Sequence, residues 1–130
     1  MQRILIVDDS ATIRKMVRAS LQGLDDAEFI EAGTGLEAIE HLAFGPVGLI
    51  VLDLNMPDMH GIDVMKFVRG HCHYKEVPII VLTTRGDDSS RRTAVEAGAT
   101  TYLTKPFGPQ VLANTARALM DHTSHRVSQG

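Results

Sequence analysis

Val47-Gly-Leu-Ile-Val-Leu-Asp53-Leu-Asn55-Met-Pro57 is the stretch that decides the fold of this chain. Its apolar run is rich in β-branched residues and shows little alternation, which is typical of a strand buried on both faces of a parallel sheet. Pro57 ends regular structure soon afterwards, so Asp53 is predicted to lie at the carboxyl end of that strand. Ligands bind at this edge in open α/β sheets. An ordinary turn-forming aspartate would give the same local pattern, and a functional role for Asp53 therefore depends on partners elsewhere in the chain.

Short strands alternate with helices along the rest of the chain. Besides the strand that ends at Asp53, strands are predicted at residues 3–7, 28–32, 77–83 and 101–104. Helices are predicted after caps at Ser10 and Thr34, after Gly61, from about Ser89 to Ala97, and after Gly108. Five strands alternating with five helices predict an α/β fold, a parallel sheet with helices on both faces and right-handed crossovers.

The helices differ in the apolar surface that they can bury. Core positions predicted for the first helix are Ile13, Met16, Val17, Leu21 and Leu24, and those for the last are Val111, Leu112, Ala116 and Leu119. The helix at 89–97 offers only Ala94, Val95 and Ala97. Few buried contacts mean low local stability, so this helix is the element expected to shift in a switch.

Bulk composition limits the function classes. The 130 residues predict one domain over 1–121, followed by a polar C-terminal tail at 122–130 with no output domain. A hydrophobic fraction of 44% and a net charge of -3 give no support to nucleic-acid binding. No apolar run approaches the roughly 18 residues of a membrane span and no leader is evident, so a cytoplasmic location is expected. The single cysteine, Cys72, fits a reducing compartment, and a metal site at His71-Cys72-His73 would need distant ligands.

Polar side chains follow four of the predicted strands on the same edge of the sheet. They are Asp8 and Asp9, Asp53, Thr83 and Lys105. If the first and third strands are neighbours, as in the order 2-1-3-4-5, three carboxylates meet there. Like charges about 5 Å apart cost roughly 3 kcal/mol at an effective dielectric near 20, so the cluster should titrate upward, recruit a cation, or both. Mg²⁺ is the cation that suits carboxylates, a backbone carbonyl and a phosphate oxygen.

The same residue types suit one reaction. A carboxylate nucleophile beside magnesium, with a lysine and a hydroxyl, fits formation of an acyl phosphate. Asp53 would attack phosphorus in line, while Lys105 neutralises charge and Thr83 donates a hydrogen bond to a phosphoryl oxygen.

These motifs resemble those of a known family. The sequence contains Ile6-Val7-Asp8-Asp9-Ser10, Asp53-Leu-Asn-Met-Pro57 with Met59 and Gly61, Ala97-Gly98-Ala99 and Tyr102-Leu103-Thr104-Lys105-Pro106-Phe107. Over residues 2 to about 121 it is similar to bacterial two-component response-regulator receiver domains, most of all to stand-alone receivers of the chemotaxis type. The resemblance implies a flavodoxin-like (βα)5 fold, whose strand order 2-1-3-4-5 is already described for such receivers.

The resemblance also implies residue roles. Asp53 would accept a phosphoryl group from a kinase phosphohistidine, and Asp8 and Asp9 would hold Mg²⁺ together with Asp53 and the backbone carbonyl of Asn55. Thr83 and Lys105 would grip the phosphoryl group. Thr83 would also act with Tyr102, which matches the family's switch aromatic. The peptide bond after Lys105 is expected to be cis, as it often is in the family.

Partners follow from the same resemblance. A histidine kinase or a histidine phosphotransfer protein would donate the phosphoryl group, and a downstream protein would read the phosphorylated state. Because the helix at 89–97 is the least anchored, we expect the readout face to be formed by Ser89 to Tyr102 and the last helix. The chain would then be a monomeric signalling phosphoacceptor and not an enzyme acting on a separate substrate, with catalysis limited to its own phosphorylation and autodephosphorylation. Arg14, Lys15 and Arg18 could dock the phosphodonor, although a solvated helix face explains them equally well.

Departures from the common family pattern concern the lifetime of the phosphoryl group. They are His60, Thr84 and Arg85. Together with Asn55 these side chains could order or block the attacking water.

Other readings of the sequence stay open. A phosphohydrolase of the haloacid-dehalogenase type also forms an aspartyl phosphate, but it requires a second aspartate where Ser10 stands. A flavin-binding protein is disfavoured because Asp8 and Asp9 would repel the phosphate of the flavin. A non-catalytic receiver-like scaffold would not need all the acidic residues and the lysine. Motor control, a phosphorelay and a phosphate sink are not distinguished by the sequence.

Overall fold

The strands and helices follow the predicted alternation. The computed structural model describes residues 2–24, 26–56, 58–84 and 86–129, with side chains as far as Asp121. The strands are β1 (Gln2–Val7), β2 (Ala27–Ala32), β3 (Leu49–Asp53), β4 (Ile79–Thr83) and β5 (Thr101–Thr104). The helices are α1 (Ala11–Leu21), α2 (Gly35–Phe44), α3 (Gly61–Gly70), α4 (Asp88–Ala97) and α5 (Pro109–Gln129).

All five strands form one parallel sheet in the order β2-β1-β3-β4-β5, which confirms the predicted fold class and order. The register pairs Val7 with Leu52, and Asp53 with Leu82. Because the strands run in the same direction, the residues that follow β1, β3, β4 and β5 emerge at a common edge. Every residue of β3 and β4 is buried, as expected for central strands covered on both faces.

Helices cover the sheet on both sides and divide the core into two layers. One layer packs α2, α3 and α4 against side chains such as Leu52 and Val81. The other packs α1 and α5 against side chains such as Val51 and Leu82. Among the helices that the structure describes, none combines the length and the apolar character needed to cross a lipid bilayer.

The helix termini agree with the sequence signals in most cases. The hydroxyl of Ser10 accepts a hydrogen bond from the Ile13 amide, and Thr34 caps α2 in the same way, so both predicted caps are confirmed. The helix predicted from about Ser89 begins at Asp88, with Asp87 as its cap. At the other end of the chain, α5 continues to Gln129 and includes most of the segment expected to be a polar tail.

Three predicted core positions are wrong. Met16, Val95 and Val111 are 41%, 52% and 54% exposed. In α1 and α5 the adjacent residues Val17 and Leu112 take the buried position, because neighbours in a helix are about 100° apart and only one of them can face the sheet.

The helix α4 is held mainly at its C-terminal end. Ala94 is its single buried residue, which confirms the prediction of weak apolar anchoring. Beyond its C-terminus, the Arg69 guanidinium donates to the carbonyl oxygens of Gly98 and Val77, each at 2.7 Å. Gly98 has a φ of +122°, and a Cβ there would lie 2.6 Å from Cγ of Arg69, so glycine is required on both grounds.

Gly61 brings α3 against the end of the central strand. Its amide donates to the Leu54 carbonyl at 2.7 Å. A Cβ on Gly61 would lie 2.6 Å from the backbone oxygen of Asp53 and 2.7 Å from Cα of Leu54. The close approach of α3 therefore helps to fix the backbone that carries Asp53.

Substitution of Gly61 by alanine is expected to lower the free energy of unfolding by about 2 kcal/mol, since backbone atoms must shift to admit the methyl group. Urea denaturation measures this change. Gly70→Ala, in the same helix, is the matched control, because its Cβ meets nothing within 4 Å. Because Gly70 is the last residue of α3, that variant should change the free energy of unfolding by no more than about 0.5 kcal/mol. Equal effects of the two substitutions would contradict the close-approach explanation.

Candidate functional site

The predicted acidic residues meet at the carboxyl edge of the sheet. Asp8 and Asp9 follow β1, and Asp53 ends β3. Each offers a carboxylate oxygen, and the three oxygens lie within 4.8 Å of one another. Asp8 and Asp53 are buried at 3% and 5% exposure, whereas Asp9 is exposed. The cluster is thus open to solvent on one side and enclosed on the other.

Lys105 completes this cluster, as predicted. Its ammonium nitrogen lies 2.8 Å from Oδ2 of Asp8 and 3.3 Å from Oδ1 of Asp53. The backbone amide of Lys105 donates to the Thr83 carbonyl at 2.7 Å, which ties the residue to the end of β4. The peptide bond between Lys105 and Pro106 is cis, as expected.

The electrostatics of the cluster favour an additional cation. Burial and the Asp8 charge raise the pKa of Asp53, against the opposing effects of Lys105 and the Asn55 backbone amide. Burial alone would lower the pKa of Lys105, but its contacts with Asp8 and Asp53 outweigh this and raise it. Three carboxylates and one ammonium leave a formal charge of -2, and oxygen donors of this kind are those that Mg²⁺ prefers. The donor set therefore fits a magnesium ion.

The two predicted switch residues lie on the same side of the sheet. Thr83 is fully buried at the end of β4. Tyr102 is opposite Val81 in the register and packs against the layer that contains α4, with its hydroxyl oxygen buried. The structure thus brings both side chains to the face that α4 covers.

A cleft of about 160 Å³ separates the β3–α3 loop from the start of α4. Its polar lining comes from Asn55, His60, Thr83, Ser89, Ser90 and Thr93. His60 also accepts a hydrogen bond from the Ile62 amide at 3.1 Å and so caps α3. Of the other departures, Thr84 is exposed, while Arg85, like Pro57, lies outside the described residues.

Two polar contacts near the site were not predicted. Asp58 accepts hydrogen bonds from the Gly35 and Leu36 amides, at 3.0 and 3.2 Å, and so connects the β3–α3 loop to the N-terminus of α2. Arg14, one of the three basic residues proposed to dock a phosphodonor, donates to the Asp8 carbonyl and to Glu31. A glutamate near the end of β2 was the sequence signal for the contact between Arg14 and Glu31. That signal predicts the contact only when the strand order is known.

Comparisons with known proteins agree with this geometry. Residues 4–117 match the family described as the response regulator receiver domain. The chain is 42% identical to chemotaxis protein CheY1 of Helicobacter pylori over 111 residues, covering 85% of this chain and 90% of that protein. It is 40% identical to a CheY homolog of Campylobacter jejuni over the same length, with 85% of each chain covered. The solved structure of chemotaxis response regulator CheY4 of Vibrio cholerae superposes with a TM-score of 0.84 at 37% identity, covering 92% of this chain and 98% of that one. The chain belongs to the response regulator receiver domain family.

Proposed function

We propose that the chain accepts a phosphoryl group on Asp53 from the phosphohistidine of a histidine kinase or a histidine phosphotransfer protein. The observation that carries this proposal is the position of the Asp53 carboxylate. It is buried at the end of the central strand, 3.3 Å from the Lys105 ammonium and within 4.8 Å of two further carboxylates. A carboxylate in such a site can act as a nucleophile toward phosphorus, since positive charge is at hand to offset the charge of the incoming group.

In the proposed transfer, one Asp53 oxygen attacks phosphorus while the P–N bond to the donor imidazole breaks. The electron pair of that bond leaves with the imidazole, and an acyl phosphate forms on Asp53. Lys105 neutralises charge on the equatorial phosphoryl oxygens, and the Thr83 hydroxyl donates to one of them. Such groups act mainly by position and charge, because phosphoryl transfer requires little covalent chemistry from the protein.

We propose that Asp8, Asp9 and Asp53 hold Mg²⁺ together with the backbone carbonyl of Asn55. When bound, the ion neutralises the excess negative charge of the cluster and supplies positive charge to the phosphoryl oxygens. The convergence of the three carboxylates supports this assignment.

The output is proposed to be a surface change on the face formed by Ser89 to Tyr102 and α5. Phosphorylation adds about -1.5 to -2 charges at Asp53, and movement of Thr83 toward them opens space on the side of the sheet where Tyr102 packs. The weak apolar anchoring of α4 supports its displacement. A downstream protein reads this face. The similarity to chemotaxis proteins favours a role in chemotaxis, but a phosphorelay would use the same site.

Mass spectrometry after incubation with acetyl phosphate tests the proposed function. With Mg²⁺ present we expect a mass gain of one phosphoryl group, located at Asp53 by reductive trapping, and no gain after chelation of the metal. Sustained turnover of varied phosphoesters would instead select a phosphohydrolase. Labelling that persists without a divalent ion, or that maps to another residue, would refute the proposal.

A further inference from the structure

The peptide unit that joins Asp8 to Asp9 is held from outside the acidic cluster. The Asp8 carbonyl oxygen accepts a hydrogen bond from Nη1 of Arg14 at 2.6 Å. The Asp8 carboxylate is also fixed, since it accepts from the Ser10 amide at 2.9 Å and from Lys105 at 2.8 Å. Arg14 therefore acts on the backbone between the two acids and not on either carboxylate.

Arg14 is itself held in place by Glu31 of the edge strand β2. Nε of Arg14 lies 3.0 Å from one carboxylate oxygen of Glu31, and Arg18 binds the other oxygen at the same distance. The Arg14 side chain is 19% exposed, much less than the 47% of Arg18. Burial alone would raise the pKa of Glu31, but the hydrogen bonds from both arginines outweigh it and lower the pKa. Glu31 is thus a charged anchor for the Arg14 guanidinium.

Asp9 depends on the backbone for its direction. Its side chain is exposed, and within the described part of the chain its carboxylate makes no hydrogen bond or ion pair. Because a peptide unit is planar and rigid, a hydrogen bond to the Asp8 carbonyl also orients the amide from which Asp9 begins. Mg²⁺ requires near-ideal octahedral geometry, so the relative direction of the two carboxylates matters for its binding.

We infer that Arg14, anchored by Glu31, is a positioning residue that orients Asp8 and Asp9 for a divalent cation. This inference rests on the proposed function, in which those two residues hold Mg²⁺. In this role Arg14 contacts the peptide unit that joins the two ligands and not their carboxylates.

Charge and geometry predict opposite effects when Arg14 is removed. A guanidinium near two carboxylates repels an incoming cation, so the loss of its charge alone would strengthen metal binding. Loss of the fixed peptide orientation would weaken it. The direction of the change in Mg²⁺ affinity therefore separates a positioning role from a merely electrostatic one.

The test is the dissociation constant for Mg²⁺ of the full chain without a phosphodonor, from NMR titration of the backbone amides of residues 8 and 9. Arg14→Gln is expected to bind Mg²⁺ about 10-fold more weakly, the size typical of groups that orient metal ligands. Arg18→Gln is the matched control. Arg18 binds the same Glu31 and carries the same charge, but it makes no hydrogen bond to the Asp8 carbonyl. Its affinity should equal or slightly exceed that of the native chain.

Arg14→Lys provides a second variant that keeps the charge but lacks the planar fork. It is expected to bind several-fold more weakly than the native chain, and it decides the question if Arg14→Gln does not fold. Unfolding in urea, measured on the same samples, shows whether affinity changes independently of stability. Native affinity in Arg14→Lys, or native or stronger affinity in Arg14→Gln, would overturn the inference. A native chain that binds no Mg²⁺ at millimolar concentration would instead refute the proposed function.

Discussion

Substitution of Asp53 by asparagine is expected to abolish labelling by acetyl phosphate, with a fall of more than about 10³-fold in rate. Removal of a nucleophile has effects of this order or larger. The amide of asparagine is a poor nucleophile toward phosphorus, and the remaining acids do not take its place: Asp8 is engaged by Lys105 and Ser10, and Asp9 is exposed. Phosphate incorporation with and without Mg²⁺, followed by mass spectrometry, measures the effect.

The same variant should be more stable than the native chain at pH 7 without metal. Burial and the charge of Asp8 raise the pKa of Asp53 in the folded state. When the pKa of a carboxyl group is higher in the folded state than in the unfolded chain, ionisation of that group destabilises the fold. The destabilisation begins near the unfolded-state pKa and is complete above the folded-state pKa. Two like charges about 5 Å apart cost roughly 3 kcal/mol at an effective dielectric near 20, and Lys105 offsets much of this, so we expect a gain of about 1 kcal/mol. The gain should vanish below the ordinary aspartate pKa, where the native side chain is protonated in both states.

Asp58→Asn is the matched control for Asp53→Asn. Asp58 lies in the loop that follows β3, and hydrogen bonds from the Gly35 and Leu36 amides lower its pKa. Asp58→Asn should leave labelling unchanged and should lower the free energy of unfolding at pH 7, whereas Asp53→Asn should raise it. Substantial labelling of Asp53→Asn, or an equal loss of labelling in Asp58→Asn, would contradict the assignment of Asp53 as the acceptor.

The sequence predicted where Asp8, Asp53 and Lys105 lie in the fold, because these residues stand at the ends of strands. An apolar run that ends on Asp53 determines where that carboxylate lies once the sheet is parallel, and the same holds for Thr83 and Lys105. The strand order came from the family resemblance, as did the roles expected for Asn55 and Tyr102. That order makes β1 and β3 neighbours, and without it Asp8 would not meet Asp53.

Contacts between distant polar side chains were not predictable in the same way. The link from Asp8 through Arg14 to Glu31 depends on the pairing of β1 with the edge strand β2 and on the rotation of α1. The helical spacing places Arg14 on the polar face of α1, but it does not indicate which residues Arg14 binds. The errors at Met16 and Val111 have a related cause, because residue type alone does not decide which of two adjacent apolar residues faces the sheet.

Replacement of Lys105 by methionine is expected to affect phosphorylation, metal binding and stability in different directions. Loss of a positive group beside the phosphoryl oxygens should slow labelling by about 10²- to 10³-fold. Loss of the same charge beside Asp8 and Asp53 should strengthen Mg²⁺ binding, because the ion no longer competes with the ammonium. Without metal the variant should lose about 3 kcal/mol of stability, since a buried pair is broken and leaves uncompensated carboxylates. Saturating Mg²⁺ should restore most of that stability but not the rate.

Lys105→Arg separates charge from geometry in this prediction. Arginine keeps the positive charge, but its planar fork does not reproduce a compact ammonium 2.8 Å from Asp8 and 3.3 Å from Asp53. We therefore expect stability closer to that of the native chain and a labelling rate between those of the native and methionine variants. Labelling rates from acetyl phosphate, Mg²⁺ titration and urea denaturation on the three proteins check the three effects separately. A native labelling rate in Lys105→Met would show that the ammonium contributes nothing to the transfer, and weaker Mg²⁺ binding in that variant would show that Lys105 organises the acids and does not compete with the ion.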